Sequence, residues 1–147
     1  MDKLDFIDNP IYFDDSPIGF FDGVVDGGIC GIGLFLKLSN DHFYKAHFAG
    51  GEGSNMKAEI LGLWGLLHFA ASLSINRMMV VGDSKVAIDW IKGKANLNLL
   101  YLSAWKDKIW RLKDSFKGLK FMHVHRIFNS VADQLSKKAL KCTIGWM

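Results

Sequence analysis

Three apolar runs, separated only by short turn sequences, open the part of this chain that can build a core. The runs span residues 18–25, 29–38 and 42–48, with Asp-Gly-Gly at 26–28 and Asn-Asp at 40–41 between them. Turns this short join antiparallel neighbours, because a parallel connection needs a dozen or more residues. The pattern therefore predicts a three-stranded antiparallel sheet.

After a glycine-rich stretch at 50–55, expected to be a flexible loop, strands and helices alternate. The periodicity predicts strands over 77–82 and 119–124 and helices over 56–74, 83–92, 98–116 and 129–141. Strands joined through helices extend a sheet in parallel. We therefore expect an α/β fold whose mixed five-stranded sheet has three antiparallel and two parallel strands and is flanked by helices. A site is expected at the carboxyl ends of strands, near the switch in strand order.

The 147 residues suit one domain, and half of them are hydrophobic. Residues 1–17 are expected to be an acidic tail or linker before a domain of residues 18–147. A signal peptide is not expected, because the first fifteen residues carry five aspartates and no apolar core. A membrane partner is not expected either, because the apolar run over 60–71 is shorter than the ~18 residues that a span needs. The two cysteines lack zinc-site spacing and favour an intracellular location, with nucleus and cytoplasm both open.

Charge is divided unevenly along the chain. Residues 1–56 carry three lysines and nine acids, whereas residues 57–147 carry fifteen lysines or arginines and six acids. The basic part predicts a polyanionic partner such as a nucleic acid, with a solvated lysine-rich surface as the alternative.

Four acids lie at positions that invite a functional explanation. Asp22 lies inside the first apolar run, and Glu59 is the only acid of the first helix, on an apolar stripe. Burying an unpaired carboxylate costs several kcal/mol, so such residues are usually paired, protonated or metal-bound. Asp83 and Asp133 each have an ordinary alternative, as a helix N-cap and as a partner of the helix dipole.

The expected topology allows these four acids to converge at one end of the sheet. Asp22 and Asp83 fall on strands that should be neighbours, Glu59 on a helix between them, and Asp133 on the helix after the last strand. Carboxylates without thiolates form a hard-oxygen site suited to Mg²⁺ or Mn²⁺. Because like charges raise each other's pKa, a bound cation would be needed to keep the cluster ionised.

Four segments carry recognisable motifs. They are Phe21-Asp22-Gly23 with the glycine-rich stretch 27–33, then Asn55–Leu63, Val80–Lys85 and His123–Leu135. The second is similar to N-x-x-A-E-hydrophobic-x-A-L, with Gly62 in place of the usual alanine. In this order, over residues 18–141, the segments resemble the ribonuclease H family, particularly the reverse-transcriptase-associated domains of plants and retroelements.

The resemblance implies a ribonuclease H-like fold and a catalytic, metal-binding tetrad of Asp22, Glu59, Asp83 and Asp133. It implies two Mg²⁺ ions, replaceable by Mn²⁺, that activate a water and stabilise the departing 3′-oxygen. Asp22 is expected to bridge the ions, Glu59 and Asp83 to hold the attacking-side ion, and Asp133 the other. The implied reaction is endonucleolytic hydrolysis of the RNA strand of an RNA–DNA hybrid, giving 5′-phosphate and 3′-hydroxyl ends.

A hybrid-cutting enzyme needs contacts to phosphates and to RNA 2′-hydroxyls. The residues expected to contact substrate are Gly23, Asn55, Ser84, Lys85, Arg126 and Asn129, with Lys92 and Lys94 as further phosphate contacts. His123 and His125 are candidate proton shuttles, with packing or a surface role as the alternative. Trp90 and Trp110 are the tryptophans free to face substrate, although core packing is more typical of both.

Other functions remain open at this point. A 3′–5′ exonuclease of similar fold typically carries a D-x-E pair on the first strand, but residue 24 is valine. A non-catalytic nucleic-acid-binding module would not need four acids. The chain could also be part of a larger reverse-transcriptase polyprotein. Only residues 93–97 separate the middle helices, so the basic handle of bacterial-type members is not expected, and substrate affinity should be weak.

Overall fold

The computed structural model describes residues 17–95 and 103–144, and its elements follow the predicted order. They are β1 (Ile18–Asp26), β2 (Ile29–Lys37), β3 (Phe43–Glu52), α1 (Asn55–Ser72), β4 (Arg77–Gly82), α2 (Lys85–Ile91), α3 (Ser103–Ser115), β5 (Gly118–His123), a 3₁₀ helix (Arg126–Asn129) and α4 (Ser130–Ile144). Residues 1–16 of the expected tail and residues 98–102 of the expected third helix lie outside the described residues.

The sheet has the strand order β3-β2-β1-β4-β5. β1 pairs antiparallel with β2, and β2 with β3, whereas β4 runs parallel to both β1 and β5. The expected mixed five-stranded sheet is therefore confirmed. β1 is its central strand, and its pairing with β4 ends at Phe21↔Gly82. Asp22 and Asp83, the next residues of the two strands, consequently lie near each other where the parallel pairing of β1 with β4 ends.

β3 is longer than the sequence pattern indicated. The prediction of a flexible loop over 50–55 was wrong for residues 50–52, which continue the strand to Glu52. Glu52 pairs with Ile29, and the register shifts between Ile29 and Gly31 in the manner of a β-bulge. Glycine is a poor strand former, but pairing with a neighbouring strand overrides that local preference. Gly51, with φ of 73°, occupies a backbone conformation that favours glycine.

The two faces of the sheet carry different helices. α1 contributes the fully buried Ile60, Leu63 and Leu66 to the main core, against β1 and β2. α4 packs closely against β2 on the opposite face, because a Cβ at Gly33 would lie 2.1 Å from the carbonyl oxygen of Ala132. Successive strand residues face opposite sides, so Asp22 points toward α4 and Gly23 toward α1.

The four tryptophans within the described residues belong to the packing of the helices. Trp90 is 4% exposed and lies edge-to-face with Trp110 at 5.0 Å between ring centroids. Trp64 and Trp105 form a second edge-to-face pair at 5.4 Å. Core packing is therefore the role of Trp90, and substrate contact by this buried ring is ruled out. Among the described helices, none has the length and apolarity needed to cross a membrane.

Candidate active site

Carboxylates from three different parts of the chain meet where the parallel pairing of β1 with β4 ends. Asp22 lies within β1 and is 1% exposed, Asp83 follows the last residue of β4, and Glu59 is on α1. One oxygen from each of the three lies within 4.8 Å of the others. Residues separated by up to 61 positions in sequence thus form one acidic group.

Glu59 is held against β1 by a glycine. A Cβ at Gly23 would lie 2.3 Å from the backbone carbonyl group of Ala58, so only glycine allows α1 to come this close. Because α1 comes this close to β1, the Gly23 N–H can donate to Glu59 Oε1 at 3.3 Å. The start of α1 is fixed by Ser54, whose Oγ accepts the N–H of Lys57 at 3.2 Å.

Asp83 stands just outside α2 rather than serving as its cap. The capping side chain is Ser84, whose Oγ accepts the N–H of Ala87 at 3.2 Å. The N-cap alternative for Asp83 is therefore wrong, because the neighbouring serine takes that role. Asp83 Oδ2 instead accepts a hydrogen bond from Asn129 Nδ2 at 3.4 Å. The same amide donates to the carbonyl oxygen of Phe21 at 2.8 Å, which ties β1 to Asp83.

Asp133 lies in the first turn of α4, as expected, but outside the group of three. Its Oδ2 is 3.0 Å from Lys137 Nζ, one helical turn later. α4 also brings Ser136 to the cluster, where its hydroxyl donates to Asp22 Oδ2 at 3.1 Å. Ser136 was not among the residues predicted from the sequence, although positions three apart share a helix face and so place it beside Asp133.

Burial and mutual repulsion perturb two of these acids strongly. Desolvation, together with the charge of Asp83, raises the pKa of Asp22 from 3.8 to about 7. Desolvation and the charges of Asp22 and Asp83 raise the pKa of Glu59 from 4.5 to about 9, against the opposing hydrogen bond from Gly23. Such shifts are typical of clustered functional carboxylates.

The donor set fits a divalent cation. Within the described ranges, Asp22 Oδ1, Glu59 Oε2 and Asp133 Oδ1 are buried carboxylate oxygens without a hydrogen-bond partner. Unpartnered buried oxygens of this kind are costly unless a ligand satisfies them. Hard oxygens without sulfur suit Mg²⁺ or Mn²⁺.

The other expected site residues differ in how exposed they are to solvent. Asn55, Lys85 and Arg126 are exposed, and Lys85 Nζ lies 2.6 Å from Asp89 Oδ2. Lys92 and Lys94 are also exposed. By contrast, Asn129 is 1% exposed, so its amide orients other groups of the site.

The two candidate histidines differ in environment. His123 ends β5, and its Nε2 lies 3.2 Å from the backbone carbonyl oxygen of Asp83. His125 is exposed, and its Nδ1 accepts the N–H of Ile127 at 3.4 Å at the start of the 3₁₀ helix. His123 therefore contacts the backbone of Asp83, whereas His125 is the histidine of the two that is open to solvent.

The fold and the acidic cluster together define a ribonuclease H-like domain. The model of the reverse transcriptase-like family matches residues 20–139, and the chain belongs to that family. No curated protein matches the chain significantly.

Solved structures share this fold. Ribonuclease H1 from the halophilic archaeon Halobacterium salinarum NRC-1 is 24% identical, with a TM-score of 0.80 over 86% of this chain and 98% of that chain. LC11-RNase H1, isolated from compost and solved in complex with an RNA/DNA hybrid, is 22% identical, with a TM-score of 0.80 over 88% and 99%. The prototype foamy virus protease–reverse transcriptase is 17% identical, with a TM-score of 0.62 over 84% of this chain and 20% of that chain.

Proposed function

We propose that this domain is a metal-dependent endonuclease that hydrolyses the RNA strand of RNA–DNA hybrids. The observation that carries the proposal is the group of Asp22, Glu59 and Asp83, whose oxygens lie within 4.8 Å of one another on a ribonuclease H-like sheet. The similar fold of LC11-RNase H1, solved with an RNA/DNA hybrid, supports the choice of substrate. The similarity to part of the foamy virus protease–reverse transcriptase supports a domain that can also occur within a longer polyprotein.

In this proposal the four acids together would bind two Mg²⁺ ions. Asp22, on the central strand of the sheet, would be the ligand shared by both ions. Glu59 and Asp83 would hold the ion that activates the attacking water, and Asp133 would complete the set from α4 through its unpartnered Oδ1. Bound Mg²⁺ would supply an activated water and Lewis-acid stabilisation of the departing 3′-oxygen, giving 5′-phosphate and 3′-hydroxyl ends.

The chain's own residues orient these groups and the substrate. Asn129 keeps Asp83 beside β1, and Gly23 does the same for Glu59. The exposed Asn55 and Arg126, with Ser84 at the start of α2, are assigned to the RNA strand. His125 is the better placed candidate for moving a proton, since it is open to solvent.

The test is a gel assay with equal amounts of labelled RNA–DNA hybrid, double-stranded RNA, double-stranded DNA and single-stranded DNA, each with Mg²⁺ or EDTA. We expect rapid cutting of the hybrid's RNA strand alone, and only with Mg²⁺. Cleavage of single-stranded DNA from its 3′ end would point to an exonuclease. Hybrid binding without any cleavage would point to a non-catalytic module.

Substrate affinity of the isolated domain gives a second measurement. The net charge of the chain is only +3, so few phosphates can be neutralised at once, and we expect weak hybrid binding that falls steeply with salt. Fluorescence anisotropy with a labelled hybrid at 50 and 200 mM salt checks this, and tight binding that is insensitive to salt would contradict it.

A further inference from the structure

Ser136 is a buried polar residue of α4 that reaches across the molecule to Asp22. It is 0% exposed, and its hydroxyl lies 3.1 Å from Asp22 Oδ2 and 2.7 Å from the carbonyl oxygen of Asp133. Asp22 is 114 positions away in sequence, so the contact exists only because α4 lies on this part of the sheet.

Because of this contact, the two carboxylate oxygens of Asp22 have different environments. Oδ2 is engaged by Ser136, whereas the buried Oδ1 has no hydrogen-bond partner among the described residues. A carboxylate anchored through one oxygen cannot rotate freely about its Cβ–Cγ bond. The remaining oxygen is therefore presented in a fixed direction.

The position of the hydroxyl is fixed by the backbone around it. A Cβ at Gly31 would lie 2.4 Å from the carbonyl oxygen of Ser136, and a Cβ at Gly33 would lie 2.5 Å from its amide nitrogen. Two glycines of β2 thus allow this turn of α4 to rest directly on the sheet. The distance from Ser136 to the neighbouring strand residue Asp22 is then set by main-chain packing.

A helical serine does not need such a partner. Ser72 and Ser115 each donate to the carbonyl oxygen three residues earlier, at 2.6 Å, and both are exposed. Ser136 has the same local acceptor in Asp133, and it alone of these three also faces a carboxylate. Because a hydroxyl has one hydrogen, donation to Asp22 requires turning away from that local acceptor.

We propose that Ser136 is a positioning residue that fixes the Asp22 carboxylate for cation binding, an inference that rests on the proposed function. Hydrogen bonds to metal-ligating carboxylates orient them, and loss of such a partner typically weakens metal affinity about 10- to 100-fold. The role needs a hydroxyl at residue 136 and not merely a small side chain.

The experiment follows Mg²⁺ binding through the melting temperature of the intact chain, with hybrid cleavage measured in parallel. Ser136→Ala removes the hydroxyl, Ser136→Cys keeps a weak donor of similar size, and Ser115→Ala is the matched control because it loses only the local bond. We expect the half-saturating Mg²⁺ concentration to rise about 10-fold or more in Ser136→Ala. It should rise less in Ser136→Cys and stay unchanged in Ser115→Ala, and saturating Mg²⁺ should restore much of the cleavage rate.

The outcomes separate this proposal from the proposed function. If Mg²⁺ raises the melting temperature of the parent and of Ser136→Ala at the same concentrations, the role of Ser136 is overturned while the metal site stands. If the parent neither responds to Mg²⁺ nor cuts hybrid, both fall. Should Ser136→Ala not fold in EDTA, the Mg²⁺ dependence of its hybrid cleavage decides, and a half-saturating Mg²⁺ concentration equal to that of the parent overturns the proposal.

Discussion

At the scale of single residues, Asp22 is a carboxylate that is buried without a compensating positive charge among its described contacts. It is 1% exposed and its pKa is raised to about 7, chiefly by desolvation and then by the charge of Asp83. One hydroxyl and one unpartnered oxygen do not compensate a buried negative charge. The residue is therefore costly to the metal-free protein, which is expected of a ligand selected for binding rather than for stability.

The variant Asp22→Asn tests this interpretation. It keeps the size of the side chain and its ability to accept from Ser136, but it removes the charge. We expect cleavage to be abolished, while the metal-free protein gains up to about 1–2 kcal/mol at pH 9 and little at pH 5, where Asp22 is already protonated. Thermal melts in EDTA at the two pH values measure the gain.

The control for that variant is Asp26→Asn, which changes an exposed aspartate at the end of the same strand. It should alter neither cleavage nor the Mg²⁺ response. An Asp22→Asn protein that is clearly destabilised at pH 9 and still cuts hybrid would remove Asp22 from the metal site.

At the scale of elements, the site depends on how closely α1 approaches β1. Gly23 provides the contact, since any side chain there would meet the backbone at Ala58. The carboxylate of Glu59 is carried by the next residue of α1, so a displaced helix moves a ligand as well as core side chains. Position 23 therefore couples packing to chemistry.

The variant Gly23→Ala should separate α1 from β1. A methyl group 2.3 Å from a carbonyl group forces backbone movement, and we expect a loss of about 2–4 kcal/mol together with a large loss of cleavage. Chemical denaturation gives the free energy of unfolding. Gly118→Ala is the control, because its Cβ would lie 3.6 Å from the nearest side-chain atom of Arg77. Equal stabilities of the two variants would show that the close approach at Gly23 is not needed.

Elements were predictable from the sequence where a local pattern decided them. The bounds of β4 were predicted exactly as observed, since its apolar run is bracketed by polar and turn residues. Other bounds depend on contacts that the local pattern does not contain. β3 continues through glycines because it pairs with β2. α2 begins at Lys85 because the Ser84 hydroxyl oxygen accepts the free N–H of Ala87. The intrinsic preferences of the residues predict neither the extension of β3 nor the start of α2.

The candidate site divides in the same way. Motif and burial arguments identified Asp22, Glu59 and Asp83, which the fold brings together. They could not show that Asn129 is used inside the protein, nor that Ser136 reaches Asp22, because both contacts span more than 100 positions. Such contacts depend on where a terminal helix rests on the sheet.

At the scale of the whole molecule, folding brings three carboxylates from distant parts of the chain into one acidic cluster. β1, α1 and the position directly after β4 each contribute one acid to the cluster, so the electrostatic cost arises only on folding. The unfolded chain keeps these acids apart and hydrated. The stability of the fold must therefore depend on pH and on cations in a direction that the raised pKa values determine.

A raised carboxyl pKa means that the folded protein holds the proton more tightly than the unfolded chain does. The free energy of unfolding then falls as pH rises between the two pKa values, from 3.8 to about 7 for Asp22 and from 4.5 to about 9 for Glu59. In EDTA we expect the melting temperature to decline steadily between pH 5 and pH 9. Mg²⁺ binds only the ionised acids, so the rise that it causes should grow with pH over the same range. The double variant Asp22→Asn, Glu59→Gln has no such protons to lose and should show a much flatter pH profile without a Mg²⁺ response. A parent protein whose melting temperature in EDTA rises toward pH 9 would contradict this account of the cluster.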